Sequence, residues 1–444
     1  GEVGELAFVP YAHNEDFELD LHRPYIDEIV LVKDDEEYRR VKEVLDVWFD
    51  SGAMPFAQDP QNVLYPADFI SEAIDQTRGW FYTLHAVGAL MERGMAYKNV
   101  ICLGHLLDKD GKKMSKSIGN VVDPWEEIEK HGVDALRFWM YSVNQPGESK
   151  NFDTTTVGEI NRKVFNILDN VFEFYDLYRD KKLELPNNKP RSKHTLDQWI
   201  LARLDELVAL SISKLDDYKP LEPVRAIRDF ADDLSTWYLK YSRKRIKEGD
   251  IEAKQTLYFV LKDFSKLLAP FAPFVAEDLY QKLRHETEPE SVHLCKWPSV
   301  KKSVFSIFGS GDIVKKMSEV RRIASLGLQE KQKAKINVGQ PISEVRTSNK
   351  IASEFGGLIL KDVFNTAKIE YVPTLETELV INSNLTDDLK EKDRLRLTIR
   401  KIQEWRKVQG LKPGETAKYQ IQEVDKEIFD KYEGEIKRAT NVEF

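Results

Sequence analysis

From Asp108 to Asn120 the chain reads Asp-Lys-Asp-Gly-Lys-Lys-Met-Ser-Lys-Ser-Ile-Gly-Asn, a charged, glycine-bearing stretch shortly after the apolar run Val100 to Gly104. Lysines held on a loop at the carboxyl end of a strand can close over a triphosphate. Their charge there stabilises an anionic transition state and a departing pyrophosphate, an effect that is largest where water is excluded. Ser115, Ser117 and the loop's backbone N–H groups add donors. Lysines in a loop are by default a solvated basic turn, and the residue types alone leave both readings open.

Three other groups of residues could do chemistry. Trp48 and Trp80 are rigid aromatics able to wall a slot for a branched aliphatic side chain, or simply to pack a core. Glu72, Asp75 and Gln76 stand at i, i+3 and i+4, one face of an expected helix start, where they could bind a ligand's amino and hydroxyl groups or merely face solvent. His105 precedes the lysine loop and is left unassigned, because a lone histidine is more often structural. Between Asp233 and Glu248 no acid occurs, while Lys240, Arg243, Lys244, Arg245 and Lys247 crowd one helix end, a cluster able to neutralise nucleic-acid phosphates. Trp237, Tyr238 and Tyr241 lie nearby and are read as core rather than as base-stacking residues. A second basic run, Lys315-Lys316 through Arg321-Arg322 to Lys331, Lys333 and Lys335, is as consistent with a solvated face as with a nucleic-acid contact.

The elements that would position these groups follow from periodicity. Short strands are expected around Leu6 to Val9, Ile29 to Val32 and Val44 to Trp48, then helical spacing from Asp68 to Gly94 and a buried parallel strand at Val100 to Gly104. A helix is expected over Glu126 to Tyr141. Beyond Thr156 the period is 3.6: a stripe from Ile160 to Tyr178 is broken at 187–190, and long helices follow at Trp199 to Leu215, Pro223 to Lys247 and Glu252 to Arg284. Gly309-Ser310-Gly311 reads as a linker. The remainder, with a strand near Leu379 to Asn382 and a helix bearing Leu395, Ile399, Ile402 and Trp405, reads as a small α/β domain. No internal repeat is evident.

At 444 residues the chain exceeds one hydrophobic core, so two to four domains are expected. With 41% apolar and 32% charged residues it suits a soluble globular protein, and a net charge of −9 confines any nucleic-acid contact to local patches. Cys102 and Cys295 stand alone, which fits a reducing cytoplasm and leaves no zinc site within the chain. No run approaches the roughly 20 apolar residues of a membrane helix. Gly1 opens inside a strand-like stretch, which suggests that the polypeptide begins upstream.

Lys113 to Ser117 spells the KMSKS signature, and with it the chain resembles the class I aminoacyl-tRNA synthetases. Leu45 to Gly52 and Glu72 to Phe81 resemble the segments lining the adenylate pocket of the isoleucyl, valyl and leucyl members. Asp232 to Tyr238 and Leu268 to Phe274 are similar to the helical anticodon-binding domain. Leu21 to Asp27 and Ser51 to Gln58 look like the isoleucyl branch in its eukaryotic and archaeal form, which also occurs in some bacteria.

The resemblance implies a multidomain chain. It comprises an α/β second half of a Rossmann-like catalytic domain (1–150), a connecting helical segment (151–190), an all-α anticodon-binding bundle (191–300) and a C-terminal α/β domain associated with tRNA (301–444). It implies ligation of isoleucine to its tRNA through an isoleucyl-adenylate, with ATP and Mg2+ as the substrate complex. Lys113 and Lys116 would be catalytic. Glu72, Asp75, Gln76, Met114, Ser115 and Ser117 would bind ATP or adenylate, Trp48 and Trp80 would form the amino-acid pocket, and Lys240 to Lys247 would meet tRNA. A cytoplasmic monomer is expected. No His-x-Gly-His occurs, so half the nucleotide site and the editing domain are expected to lie outside the chain, leaving it inactive alone. A valyl or leucyl sibling and a non-catalytic tRNA-binding module are the alternatives.

Overall fold

The computed structural model describes residues 20–43, 46–58, 64–180, 188–300, 304–382, 384, 386–412, 415–422 and 425–443, and of 304–311 the backbone alone. The strand expected near Leu6 lies outside them. Two compact units divide the chain: Gly1–Asn120 with Pro146–Phe152, and Val121–Gln145 with Asp153–Phe444.

In the first unit, β1 (Val30–Lys33) and β2 (Glu36–Arg39) form an antiparallel hairpin turned by Asp34 and Asp35, both at positive φ. Where a third strand was expected, Val47 and Trp48 open a helix, α1 (Val47–Ala57). The reason is local: Asp46 Oδ1 accepts the Trp48 N–H at 2.9 Å, an N-cap that turns an apolar run into a first helical turn. The expected helical stretch from Asp68 likewise begins as strand β3 (Ile70–Ala73), passes through a 3-10 turn at Ile74–Arg78, and only then becomes α2 (Trp80–Leu90).

β4 (Val100–Leu103) pairs parallel with β3, so β3, α2 and β4 form a β-α-β unit. Its core is Ile70, Phe81, Leu84 and Ala96, with Trp80, Tyr97 and Cys102 packed against it. β4 itself is less buried than expected, with Val100 and Leu103 exposed. β5 (Leu106–Leu107) pairs parallel with β6 (Lys150–Asn151).

The second unit is largely helical. One helix was expected over Glu126 to Tyr141; there are two, α3 (Pro124–His131) and α4 (Val133–Ser142), parted by Gly132 at φ 84°. α5 (Thr154–Ile160) and α6 (Asn166–Tyr178) are joined by a π-helical stretch. The bundle follows as α7 (Thr195–Asp216), α8 (Leu221–Asp232), α9 (Lys240–Lys247), α10 (Ile251–Leu268) and α11 (Pro273–Leu283). Helical spacing from Pro223 to Lys247 is confirmed as one continuous run, but a π-helical segment at Asp233–Leu239 joins α8 to α9. Trp199, Ile227, Phe230, Leu234, Tyr258 and Phe264 form its interior.

The expected linker at Gly309 to Gly311 is instead helical, inside α12 (Val304–Lys333). Glycine permits helical backbone at a cost, and the later turns of α12 bury Met317, Val320, Ile323 and Ala324. Beyond α12, β7 (Glu344–Thr347), α13 (Lys350–Glu354), α14 (Gly357–Phe364), β8 (Ile369–Tyr371) and β9 (Leu379–Asn382) form a three-stranded sheet ordered β8-β7-β9 with crossover helices. α15 (Asp387–Val408), β10 (Ala417–Lys418), α16 (Lys426–Thr440) and β11 (Val442–Glu443) complete the chain, with β10 and β11 parallel.

α1 crosses α2 at Gly52, where an added Cβ would lie 2.6 Å from the Thr83 carbonyl oxygen. Backbone cannot yield as a side-chain tip can. Gly52→Ala should therefore destabilise the first unit by about 1–3 kcal/mol, the range for overpacking, as read from its urea unfolding midpoint; an unchanged midpoint would show that the crossing relaxes freely.

Candidate active site and nucleic-acid interface

The lysine loop starts where β5 ends. Two interactions hold its base. Asp108 Oδ1 accepts the N–H groups of Asp110 (3.0 Å) and Lys112 (2.8 Å), which closes the turn around Gly111 at φ 78°. Asp108 Oδ2 accepts Asn120 Nδ2 at 2.8 Å, and Asn120 Oδ1 accepts the Ser115 N–H at 2.9 Å. Asn120 Nδ2 also reaches the Lys113 carbonyl at 3.2 Å.

Asp108 and Asn120 therefore clip the two ends of the loop together. Sequence alone marks both as the bounds of the run and gives neither a role, although an Asp three residues before a Gly is a turn signal. Within the loop the Ser115 and Ser117 hydroxyls lie 2.7 Å apart, and Gly119 turns at φ 73°. Lys112, Lys113 and Lys116 are exposed, and none makes an ion pair among the described residues; Met114 is half-buried.

Gly104 sets the approach to β5. It donates to the Pro146 carbonyl at 2.8 Å, and a Cβ there would lie 2.4 Å from the Glu148 carbonyl. Only glycine lets the returning chain cross so closely and pair β6 with β5. His105, exposed, gives its carbonyl to Lys150 N–H in the same crossing, and its side chain stays unassigned.

Both tryptophans lie where α1 meets the start of α2. Trp80 Nε1 donates to the Ser51 carbonyl at 3.1 Å, which ties α2 to α1. Trp48, 41% exposed, lies over Gly79, whose added Cβ would be 3.2 Å from its ring and 2.7 Å from Gln76 Oε1. Gln76 Oε1 also accepts the Trp80 N–H at 2.8 Å, so this side chain caps α2. The expectation that Glu72, Asp75 and Gln76 share a helix face is corrected: Glu72 is the penultimate residue of β3, and the other two lie in the 3-10 turn. Ligands of open α/β sheets bind at the carboxyl ends of strands, and Glu72 and Asp75, both exposed, stand at that end of β3. Phe81, Tyr82, His85, Tyr97, Val100 and Cys102 line a separate cavity of about 380 Å³ against α2.

In the bundle the basic cluster divides. Arg245 NH2 donates to Asp197 at 2.8 Å and its Nε to Asp250 at 2.9 Å; Asp197 is fully buried and also accepts the Tyr238 hydroxyl at 2.9 Å. Arg245 thus holds α9 to α7 and is not a free phosphate ligand. Lys240, Arg243, Lys244 and Lys247 are exposed. The Arg243 guanidinium lies 5.5 Å from the Phe174 ring and Lys247 Nζ 5.5 Å from the Tyr178 ring, with the two rings 4.8 Å apart.

Phe174 and Tyr178 were read only as a core stripe; half-exposed, they extend the basic edge of α9 onto α6. The core reading holds for Tyr238, whereas Trp237 is half-exposed and packs on Tyr241, with ring centroids 5.4 Å apart. The second basic run is mostly paired. Lys316 meets Asp312, Arg321 meets Asp233, Arg322 meets Glu319 and Glu378, Lys333 meets Glu330, and Lys331 is buried.

Among the described residues no group of three His, Cys, Asp or Glu is placed to hold a metal ion, and no helix is long and apolar enough to cross a membrane.

The Asn120 side chain, and then the Lys112 amide, hold the Asp108 carboxyl below its ordinary range. A depressed pKa means that the clip is fully formed above the unfolded value of about 4 and is lost as pH falls through the lower folded one. Hydrogen exchange at the Asp110 and Lys112 amides, corrected for intrinsic rate, should be flat from neutrality to about pH 4. In Asp108→Ala it should be about tenfold faster at every pH; equal rates would mean that the clip does not order the loop.

Comparison with known proteins places these features. A family model for class I tRNA synthetases (I, L, M and V) matches residues 8–153, and one for the anticodon-binding domain of tRNA ligases matches residues 197–347. The isoleucine–tRNA ligase of Deinococcus radiodurans is 42% identical over 369 residues, 78% of this chain and 33% of its own length. That of Dehalococcoides mccartyi strain 195 is 40% identical over 383 residues, 81% of this chain and 37% of its own. The chain thus spans about a third of the length of these curated relatives. The solved ternary complex of Agrobacterium radiobacter K84 agnB2 LeuRS with tRNA and LeuAMS shares the fold at a TM-score of 0.50 and 18% identity, over 61% of this chain and 34% of that one. This chain therefore belongs to the class I tRNA synthetases, and it runs from the lysine-loop part of their catalytic domain into the anticodon-binding domain that follows.

Proposed function

We propose that the whole protein ligates isoleucine to tRNA(Ile), and that this chain supplies its lysine loop, part of its amino-acid pocket and its anticodon-binding bundle. The observation that carries this reading is the clipped loop, whose Lys112, Lys113 and Lys116 are exposed and without an ion pair among the described residues. In the reaction the isoleucine carboxylate attacks the α-phosphorus of ATP. A carboxyl–phosphate bond forms, the bond to the β-phosphate oxygen breaks, and pyrophosphate leaves with the electron pair. Lys113 and Lys116 meet the negative charge that grows on the departing group.

Glu72 and Asp75 are proposed to hold the amino group and ribose hydroxyls of the adenylate, and Met114, Ser115 and Ser117 to line its phosphate side. Trp48 and Trp80 wall the side-chain slot. Such a slot distinguishes isoleucine from valine by only about 1–3 kcal/mol for one methylene. Names of the relatives favour isoleucine over valine or leucine, and an intact loop favours an enzyme over a bare tRNA-binding module.

Two measurements test this. In the full-length enzyme Lys116→Ala should lower kcat for isoleucine-dependent pyrophosphate exchange roughly 100- to 1,000-fold with little change in KM; an unchanged kcat would move Lys116 out of the site. On the nucleic-acid side, Arg243, Lys244 and Lys247 together replaced by alanine should flatten the log–log salt dependence of tRNA binding by about two units, at 0.7–0.9 per phosphate contact. Arg245→Ala should leave that slope alone and instead cost about 3–5 kcal/mol of stability by stranding buried Asp197. A wild-type slope in the triple variant would show that α9 does not meet phosphates.

A further inference from the structure

Two buried cations near the C-terminus are each held by backbone carbonyls beyond the end of a long helix. Lys331, with no exposed surface, donates from Nζ to the carbonyls of Val338 (3.0 Å), Gln340 (2.7 Å) and Phe364 (2.8 Å). Burial pulls its pKa down to about 8, so at neutral pH it is still an ammonium, with three N–H donors for three acceptors. Arg406, 8% exposed, donates to the carbonyls of Lys412 (2.8 Å) and Asn441 (3.0 Å). In each case the cation leaves the last turn of a long helix, α12 or α15. It caps a carbonyl just beyond that helix, and another at the carboxyl end of a crossover helix, α14 or α16.

The match extends through the backbone, at an offset of 75 positions from the long helix to the segment after it and of 76 at the end of the crossover helix. α12 ends with Ala334 N–H to Glu330, Lys335 N–H to Gln332 and Ile336 N–H to Lys331; α15 ends with Gln409 to Trp405, Gly410 to Lys407 and Leu411 to Arg406. The left-handed residue in the first is Lys335 at φ 55°, in the second Gly410 at φ 70°. Both crossover helices stop at a left-handed asparagine, Asn365 at φ 52° and Asn441 at φ 50°. Its carbonyl accepts an N–H from the segment after the long helix: Ile342 to Asn365 and Ala417 to Asn441, each at 3.2 Å. The strand after each asparagine then pairs parallel with the strand before its crossover, β8 with β7 and β11 with β10.

Docking repeats as well. Arg321 on α12 reaches back to the bundle, pairing with Asp233 and lying 5.1 Å from the Trp237 ring. The residue at the same offset on α15, Arg396, reaches back to the preceding element in turn: its guanidinium covers Gly339, where a Cβ would stand 2.9 Å away.

We propose that residues 313–371 and 387–443 are two copies of one module, a long helix feeding a parallel β-α-β crossover around a buried cation. The Gly339 corner of the first copy is then an interaction surface whose partner is a second copy of the module, seated by the arginine position that seats the first copy on the bundle. A generic β-α-β unit requires neither the buried cation nor the matched left-handed asparagine. The side chains have diverged by exchange of volume. Gly327, whose added Cβ would be 2.3 Å from the Phe364 ring, corresponds at offset 75 to Ile402, and Phe364 at offset 76 to Thr440, so the equivalence requires the small-with-large pair of one copy to be exchangeable for the large-with-small residues of the other.

That exchange gives the test, made in the full 444-residue chain by thermal unfolding and by hydrogen exchange over 313–371. Gly327→Ile and Phe364→Thr should each lower the unfolding midpoint by several degrees, and the double variant should recover most of the loss. The cation swap, Lys331→Arg with Arg406→Lys, should keep a near-wild-type midpoint, whereas Lys331→Met and Arg406→Met should each lower it. Should Gly327→Ile fail to fold, folding of the double variant still supports the equivalence. A double variant no better than the sum of its singles, or a cation swap as damaging as the methionine variants, overturns it. For the docking surface, Arg396→Ala should raise exchange at 387–443 at least tenfold while leaving 197–268 unchanged; unaltered exchange there overturns the docking role.

Discussion

A buried cation must be surrounded by acceptors or it does not stay buried. Much of the second unit is arranged around that requirement. Arg245 lies between Asp197 and Asp250, Arg203 and Arg321 share Asp233, Lys262 meets Glu288, and Lys331 and Arg406 are enclosed by carbonyls. Each fastens a helix to another segment of the unit, and none could be removed without stranding its partners. The lysine loop and the outer edge of α9, by contrast, carry exposed cations that no carboxylate pairs with among the described residues. On α9 the free cations can be told from the structural one only after the internal pairing has been worked out.

This explains which parts of the site could be read from the sequence. The loop could, because Lys113 to Ser117 is a local signature whose meaning does not depend on distant partners. Arg245 could not be told from Arg243, because what separates them is Asp197, 48 positions earlier on another helix. The second basic run stayed undecided in the sequence for the same reason: Glu378 is the partner of Arg322, and three carbonyls are the partners of Lys331. Phe174 was placed in the core by its spacing, yet spacing does not show which side of a stripe an arginine will cover.

The elements were read with similar unevenness. Long helices were found because their apolar spacing repeats over many turns. Errors came at short elements and caps. Asp46 turned an apolar run into a helix start, β3 has only four residues before its 3-10 turn, and Gly132 split a helix that periodicity joined. The duplication near the C-terminus escaped because it is conserved in hydrogen bonds and backbone angles while side chains changed from Gly to Ile and from Lys to Arg. A search for similar residues has nothing to find there.

The connectivity around Gly104 has a consequence for anyone dividing this molecule. The chain passes out of the first unit after Asn120, returns at Pro146 to lay β6 beside β5, and leaves again after Phe152. No single cut therefore separates the units. An expression boundary placed anywhere from 121 to 145 would strip β5 of its only strand partner among the described residues and open the crossing at Gly104. The stretch a gene designer would take for an interdomain linker is an inseparable splice, so a transplant of the lysine loop between relatives has to carry residues 146–152 with it.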